Sequence, residues 1–164
     1  MTNPITANRR HFEDLAVGET IALGTTTVSK EMIISFATEF DPFPFHLDEK
    51  AAKASLLGGL ASSGWQTAAL SLRLLVDGFL NHVASMGSFG FTDLKWKQPV
   101  MVGDTIGGAA TITSLRRSRS HHDRGIAVIA FDVRNQKDEP VMTMNLTTLV
   151  EVRDPSAPIP EAAE

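Results

Sequence analysis

The sequence predicts an α+β domain in which an antiparallel sheet of about five strands packs on one buried helix. Three observations predict it. Residues 65–83 form the longest apolar stretch and carry helical spacing. The runs that follow it alternate with a period of two. A β-branched run near the start supplies one more strand ahead of the helices.

Taken in order, residues 20–28 are rich in β-branched residues and read as a strand. Ser29 stands at an N-cap position, and Met32, Ile33 and Phe36 are spaced for one helix face. That helix must stop near Asp41, because Pro42 disfavours the α conformation in the residue before it. Pro44 acts on Phe43 in the same way, so residues 41–45 are expected to be stiff and extended. Asp48 caps a short helix to about Ser55, and Leu57-Gly58-Gly59-Leu60 is a flexible connection. Gly64 opens the long helix. Its apolar face is expected to hold Trp65, Ala68, Leu72, Leu75, Val76, Phe79 and Val83, with Arg73, Asp77 and Asn81 as a polar stripe. Strands are expected at 89–96, 105–113, 125–133 and 141–152, with a turn at Gly103-Asp104. One helix cannot cover such a sheet, so pairing of two copies by sheet edges or faces is expected.

The chain has 164 residues, 43% hydrophobic and 21% charged, which suits one folded unit. We expect a flexible arm at 1–10, a domain at 11–153 and a disordered tail at 154–164. The net charge of −4 argues against broad nucleic-acid binding. There is no cysteine, so disulfides, thiolate zinc sites and cysteine nucleophiles are excluded. The first ten residues lack an apolar stretch, and Arg73, Asp77 and Asn81 interrupt the most apolar one. A cytoplasmic protein with no membrane span is the expectation.

Chemistry is concentrated in Asp41-Pro42-Phe43-Pro44-Phe45-His46. Asp41 and His46 are standard proton-transfer residues at the two ends of a segment that proline stiffens. A carboxylate beside an imidazole can orient it, raise its basicity, or share a water molecule with it. The plain alternative is that Asp41 ends one helix and His46 precedes the Asp48 cap. Gly64 offers an N–H at the positive end of the long helix, suited to a polarised carbonyl oxygen. The plain alternative there is that Ser62 or Ser63 simply caps the helix.

Phe40-Asp41, then Pro44-Phe45-His46-Leu47-Asp48, Ala51, and Gly59-Leu60-Ala61-Ser62-Ser63-Gly64 resemble the signature of the MaoC-like dehydratases, which include the (R)-specific enoyl-CoA hydratases. Residues 91–104 are similar to this family as well, and the resemblance extends over roughly 11–153. It implies a hotdog fold, a five- to six-stranded antiparallel sheet wrapped around a long central helix, paired as a homodimer with sites at the interface. It implies that Asp41 and His46 activate the water added to, or removed from, the α,β double bond of an acyl-CoA thioester. It implies that the Gly64 N–H binds the thioester carbonyl. Coenzyme A would be part of the substrate, and neither a metal nor another cofactor is called for. The setting would be fatty acid metabolism.

Two departures stand out. Family hydratases commonly carry Asn two residues after the aspartate, where this chain has Phe43. Some carry a serine on the central helix where this chain has Leu72, with Ser71 about 100° away around the helix. Phe43, Ser63, Trp65 and Leu72 are the candidates for substrate contact.

Arg116, Arg117, Arg119 and Arg124, with His121, His122 and Asp123, read as a solvated hairpin end, with the phosphates of coenzyme A as the functional alternative. Adjacent histidines on an extended chain point apart, which argues against a metal site there. Trp96 reads as core or interface packing. Three activities remain open on the sequence: a hydratase or dehydratase, a hotdog thioesterase, and a non-catalytic acyl-CoA binding subunit.

Overall fold

A computed structural model of the chain describes residues 9–156. The arm and tail expected at the termini lie outside the described residues, apart from 9–10 and 154–156. Arg10 lies at the boundary of the expected arm. Its guanidinium grips both carboxylate oxygens of Glu19 at 2.6 and 2.7 Å, and its N–H donates to the His82 carbonyl at 2.9 Å. Arg10 is therefore tied to the domain.

Strand β1 (Thr20–Thr27) leads to Ser29, whose hydroxyl accepts the Met32 N–H and caps helix α1 (Lys30–Phe40). Asp41 leaves the helical region, with φ −151°, as Pro42 demands. The extended run expected over 41–45 is shorter than predicted. Phe43 is extended, at φ −74° and ψ 140°, but Pro44 opens a helical turn, α2 (Pro44–Leu47). Proline restrains the residue before it, while its own fixed φ suits the first position of a helix. His46 thus rides on a helical turn. Asp48 accepts the Ala51 N–H at 2.7 Å and caps α3 (Glu49–Ala54).

Helix α4 runs Gly64–Gly78, and a 3₁₀ turn, Leu80–His82, follows it, so the helix is shorter than the apolar segment. Its buried face also differs from the expected one. Gln66, Thr67, Ser71, Leu74 and Leu75 are buried, whereas Trp65 is 61% exposed. The polar residues bury because each has a partner. Ser62 Oγ donates to Gln66 Oε1, Gln66 Nε2 donates to the Met32 carbonyl, and Ser71 Oγ donates to the Thr67 carbonyl. Burial of a hydrogen-bonded polar group costs little, so hydrophobic spacing alone put the face too far round the helix.

The sheet comprises β1, β2 (Ser85–Trp96), β3 (Thr105–Arg117), β4 (Arg124–Arg134) and β5 (Pro140–Glu151). Their order is β1-β3-β4-β5-β2, and every pairing is antiparallel. The expected five-stranded antiparallel sheet and single long helix are both present. Period-two burial is clear on β5, where Met142, Met144, Leu146 and Val150 face the core. They meet Leu74, Leu75 and Phe79 together with Ile106, Ile112, Ile129 and Phe131. No helix among the described residues is long and apolar enough to cross a membrane.

β1 and β3 slip register between Leu23 and Thr26, and Gly108 sits at this irregularity with φ +139°. A Cβ at Gly108 would run into the Asp132 carbonyl oxygen on β4. Only glycine suits both the dihedral and the close approach. Gly108→Ala is expected to destabilise the protein by about 3 kcal/mol, read from urea unfolding.

Candidate active site

Two separately built pieces of chain meet at His46. One is the turn after α1, where the Phe43 N–H bonds back to the Asp41 carbonyl at 2.7 Å. The other is the segment that enters α4. It is held straight by the loop after β2: Ser62 N–H donates to the Val100 carbonyl at 2.8 Å, and Val102 N–H to the Leu60 carbonyl at 3.0 Å. Asp104 steadies that loop by accepting the Met101 N–H at 2.8 Å. The Ala61 carbonyl is thereby aimed at His46.

His46 is 7% exposed, and its Nδ1 lies 2.8 Å from the Ala61 oxygen. A carbonyl only accepts, so Nδ1 carries the proton and Nε2 of the neutral ring holds a lone pair. Nε2 faces Asp41 Oδ2 at 3.7 Å. That gap is too long for a direct hydrogen bond. It leaves two acceptors that can hold the two hydrogens of one water molecule between them.

Ser63 is fully buried and does two jobs. Its hydroxyl donates to Asp41 Oδ2 at 2.6 Å, and it accepts the Trp65 N–H at 3.2 Å as the cap of α4. The aspartate is thus fixed by the same side chain that starts the helix. Gly64, the first helical residue, has no intrahelical acceptor for its N–H. A glycine at this position lets another group approach the backbone closely. In the structure the Trp96 indole does so on one side. A Cβ on Gly64 would lie 2.6 Å from Trp96 Cε2, and Trp96 Nε1 donates to the Gly64 carbonyl at 2.9 Å.

A cavity of about 370 Å³ opens beside these groups, bordered by Phe45, His46, Ser62, Gly64, Trp96 and Gln98 among others. Of the candidate residues, the structure brings Asp41, His46, Ser63 and Gly64 together. Phe43 is 56% exposed and stacks flat on Phe45 at 5.2 Å instead of lining the cavity. Phe45 in turn meets the His46 ring edge-on at 4.7 Å. Trp65 and Leu72 border a different, apolar cavity of about 540 Å³ with Ala68, Phe91, Leu94 and Met144. Trp96, read as core or interface packing, is 46% exposed and is not part of the core.

The residues missed on the sequence are the Ala61 carbonyl, Phe45, Trp96 and Gln98. Only Phe45, inside the proline segment, carried a local signal. Arg116, Arg119, His121 and Arg124 border a cavity of about 340 Å³ at the β3–β4 hairpin, where Arg124 pairs with Asp123. Among the described residues no three histidine or acidic side chains are grouped to hold a metal ion.

The family model described as MaoC like domain matches residues 14–132. The solved MaoC-like dehydratase from Rhodospirillum rubrum is 41% identical with a TM-score of 0.81, over 88% of this chain and 99% of that one. The uncharacterized protein YdeM of Bacillus subtilis is 27% identical over 140 residues, 85% of this chain and 97% of that protein. The (R)-specific enoyl-CoA hydratase of Rhodospirillum rubrum is 28% identical over 110 residues, 64% of this chain and 71% of that protein.

Gly64→Ala is expected to push the Trp96 indole off the helix start. The variant should lose about 1–3 kcal/mol of stability, as overpacked positions do. It should also lose the near-ultraviolet circular dichroism that two indoles in edge contact produce.

Proposed function

The chain belongs to the MaoC-like dehydratase family and has its hotdog fold, and on that premise we propose that it is a hydro-lyase that adds water across the α,β double bond of an enoyl-CoA, or removes it. The observation that carries this reading is the His46–Asp41 arrangement. An imidazole whose Nδ1–H is committed to Ala61 presents Nε2 3.7 Å from a carboxylate oxygen, at the wall of a cavity shared with the Gly64 helix start.

In this reading one water molecule bonds to Nε2 and Oδ2. As its oxygen forms a bond to the β-carbon, one of its protons passes to the Asp41–His46 pair. The π electrons move toward the thioester, and the carbonyl oxygen takes on enolate charge. The Gly64 N–H, backed by the dipole of α4, stabilises that oxygen. The α-carbon then takes a proton and the pair returns to its starting state. Dehydration follows the same steps in reverse. The chemistry is acid–base throughout, with coenzyme A as the handle on the substrate. A cytoplasmic setting in fatty acyl metabolism goes with this substrate. Ser63 serves here as a positioning residue, since its hydroxyl is spent on Asp41 and the helix cap.

The same reading includes a homodimer. β2 lies at an edge of the sheet and exposes Met86, Phe89 and Phe91 by 42%, 69% and 43%. An unpaired, apolar edge of this kind invites a second copy.

The test is loss of the conjugated-thioester absorbance of a panel of enoyl-CoA substrates. Asp41→Asn and His46→Ala are each expected to lower kcat/KM by about 10²- to 10⁴-fold with the fold retained. An Asp41→Asn variant working at full rate overturns the role of the carboxylate. Release of free thiol would mark a thioesterase, and tight binding with neither signal would mark a binding subunit.

A further inference from the structure

Two cavities are bordered by the two members of one ring pair. The cavity at His46, about 370 Å³, is bordered by Trp96 and not by Trp65. The apolar cavity, about 540 Å³, is bordered by Trp65 and not by Trp96. The two indoles touch edge to face, with centroids 5.5 Å apart and planes at 81°. Each ring therefore borders one cavity and leans on the other ring.

The larger cavity has the chemistry of an acyl-chain site. Ala68, Leu72, Phe91, Leu94 and Met144 line it with carbon and sulfur. Small alanines on α4 leave the room, and Met144 supplies an adaptable wall. Continuity with the site argues for an acyl tail as its occupant. Trp65 follows Gly64 directly, and Trp96 is bonded to the Gly64 carbonyl. A chain that starts at a thioester beside Gly64 meets the indole pair first.

The ring nearer the site is held lightly. Trp96 is at the end of edge strand β2, is 46% exposed, and makes one side-chain hydrogen bond, to the Gly64 oxygen at 2.9 Å. Trp65 is 61% exposed and meets Trp96 edge to face. Displacing the Trp96 ring from this contact breaks one exposed hydrogen bond.

Resting on the hydratase reading, we propose that the Trp65–Trp96 pair is a chain-length gate: Trp96 confines the acyl group to the His46 cavity, so that the protein favours short enoyl thioesters, and the apolar cavity behind it admits a longer chain when Trp96 is displaced. Trp96 is on this account a specificity-determining residue that bears on the acyl tail and leaves the proton transfers to Asp41 and His46.

The experiment compares crotonyl-CoA with trans-decenoyl-CoA on the full-length protein, in wild type and in Trp96→Ala. Wild type is expected to prefer the short substrate by about tenfold or more in kcat/KM, and Trp96→Ala to reduce that ratio by about tenfold or more, since each added methylene is discriminated by the space available to it. Trp96→Phe, which keeps a ring but loses the bond to Gly64, should fall between them. Adding Leu72→Trp to Trp96→Ala refills the apolar cavity and should restore the short-chain preference. The same comparison is made by calorimetry with butyryl-CoA and decanoyl-CoA, which bind without reacting. If no enoyl-CoA is consumed but the binding ratio shifts with Trp96→Ala, the hydratase reading falls and the gate stands. A wild type that treats both chains alike, or a Trp96→Ala variant that folds and leaves both ratios unchanged, overturns the gate. Should Trp96→Ala fail to fold, the Trp96→Phe ratio decides, and no change in it counts against the proposal.

Discussion

The hydrogen bond between His46 Nδ1 and the Ala61 carbonyl joins two parts of the chain that are otherwise built independently. On one side is the turn between α1 and α2, shaped by Pro42 and Pro44. On the other is the segment leading into α4, held in place by backbone bonds to residues 100–102. The bond does more than connect them. Because a carbonyl oxygen has no proton to give, it sets the tautomer of a buried ring and decides which nitrogen faces Asp41. The chemical character of the cavity depends on that choice. With the proton on Nε2, the ring would aim a donor at the carboxylate and not a lone pair.

Ser63 provides the second constraint, and it links local structure to the site. A serine at the N-cap is an ordinary way to start a helix. Here the capping oxygen also holds Asp41 Oδ2 at 2.6 Å, so the position of the carboxylate is locked to the position of the helix. Gly64 follows directly, and its N–H belongs to the same turn. Carboxylate, imidazole and helix-start N–H are therefore fixed to one short piece of backbone. Groups placed in this way need little reorganisation when a charged oxygen forms beside them.

Much of the fold was legible in the residues. Ser29 and Asp48 cap the helices they were expected to cap, because a capping bond is made within a few residues of the cap itself. Period-two runs became β3, β4 and β5, because alternation follows from strand geometry. The errors fall where a hydrogen bond or a backbone preference outweighs the hydrophobic pattern. Residues 44–47 wind into a turn that the stiff-segment argument missed. The face of α4 was misjudged because Gln66 and Ser71 find partners on Met32 and Thr67, and such bonds bury polar groups that hydrophobicity would leave outside. Trp96 read as core or interface packing, and it borders the cavity at His46, where its Nε1 donates to the Gly64 carbonyl.

The sequence by itself determined the chemical alphabet of this protein. It placed an aspartate and a histidine around two prolines, a serine and a glycine at the start of the long helix, and an alternating pattern for the sheet. Those are properties of residue type and short spacing, and short-range sterics and hydrogen bonding enforce them wherever the segment sits. Only the tertiary structure decided which atoms face one another. The 3.7 Å gap between Nε2 and Oδ2, the proton on Nδ1, and the contact of the two indoles involve residues 5, 15 and 31 positions apart, brought together by the packing of α4 on the sheet. No local rule encodes such distances, because they are set by how whole elements pack and not by how any one of them folds.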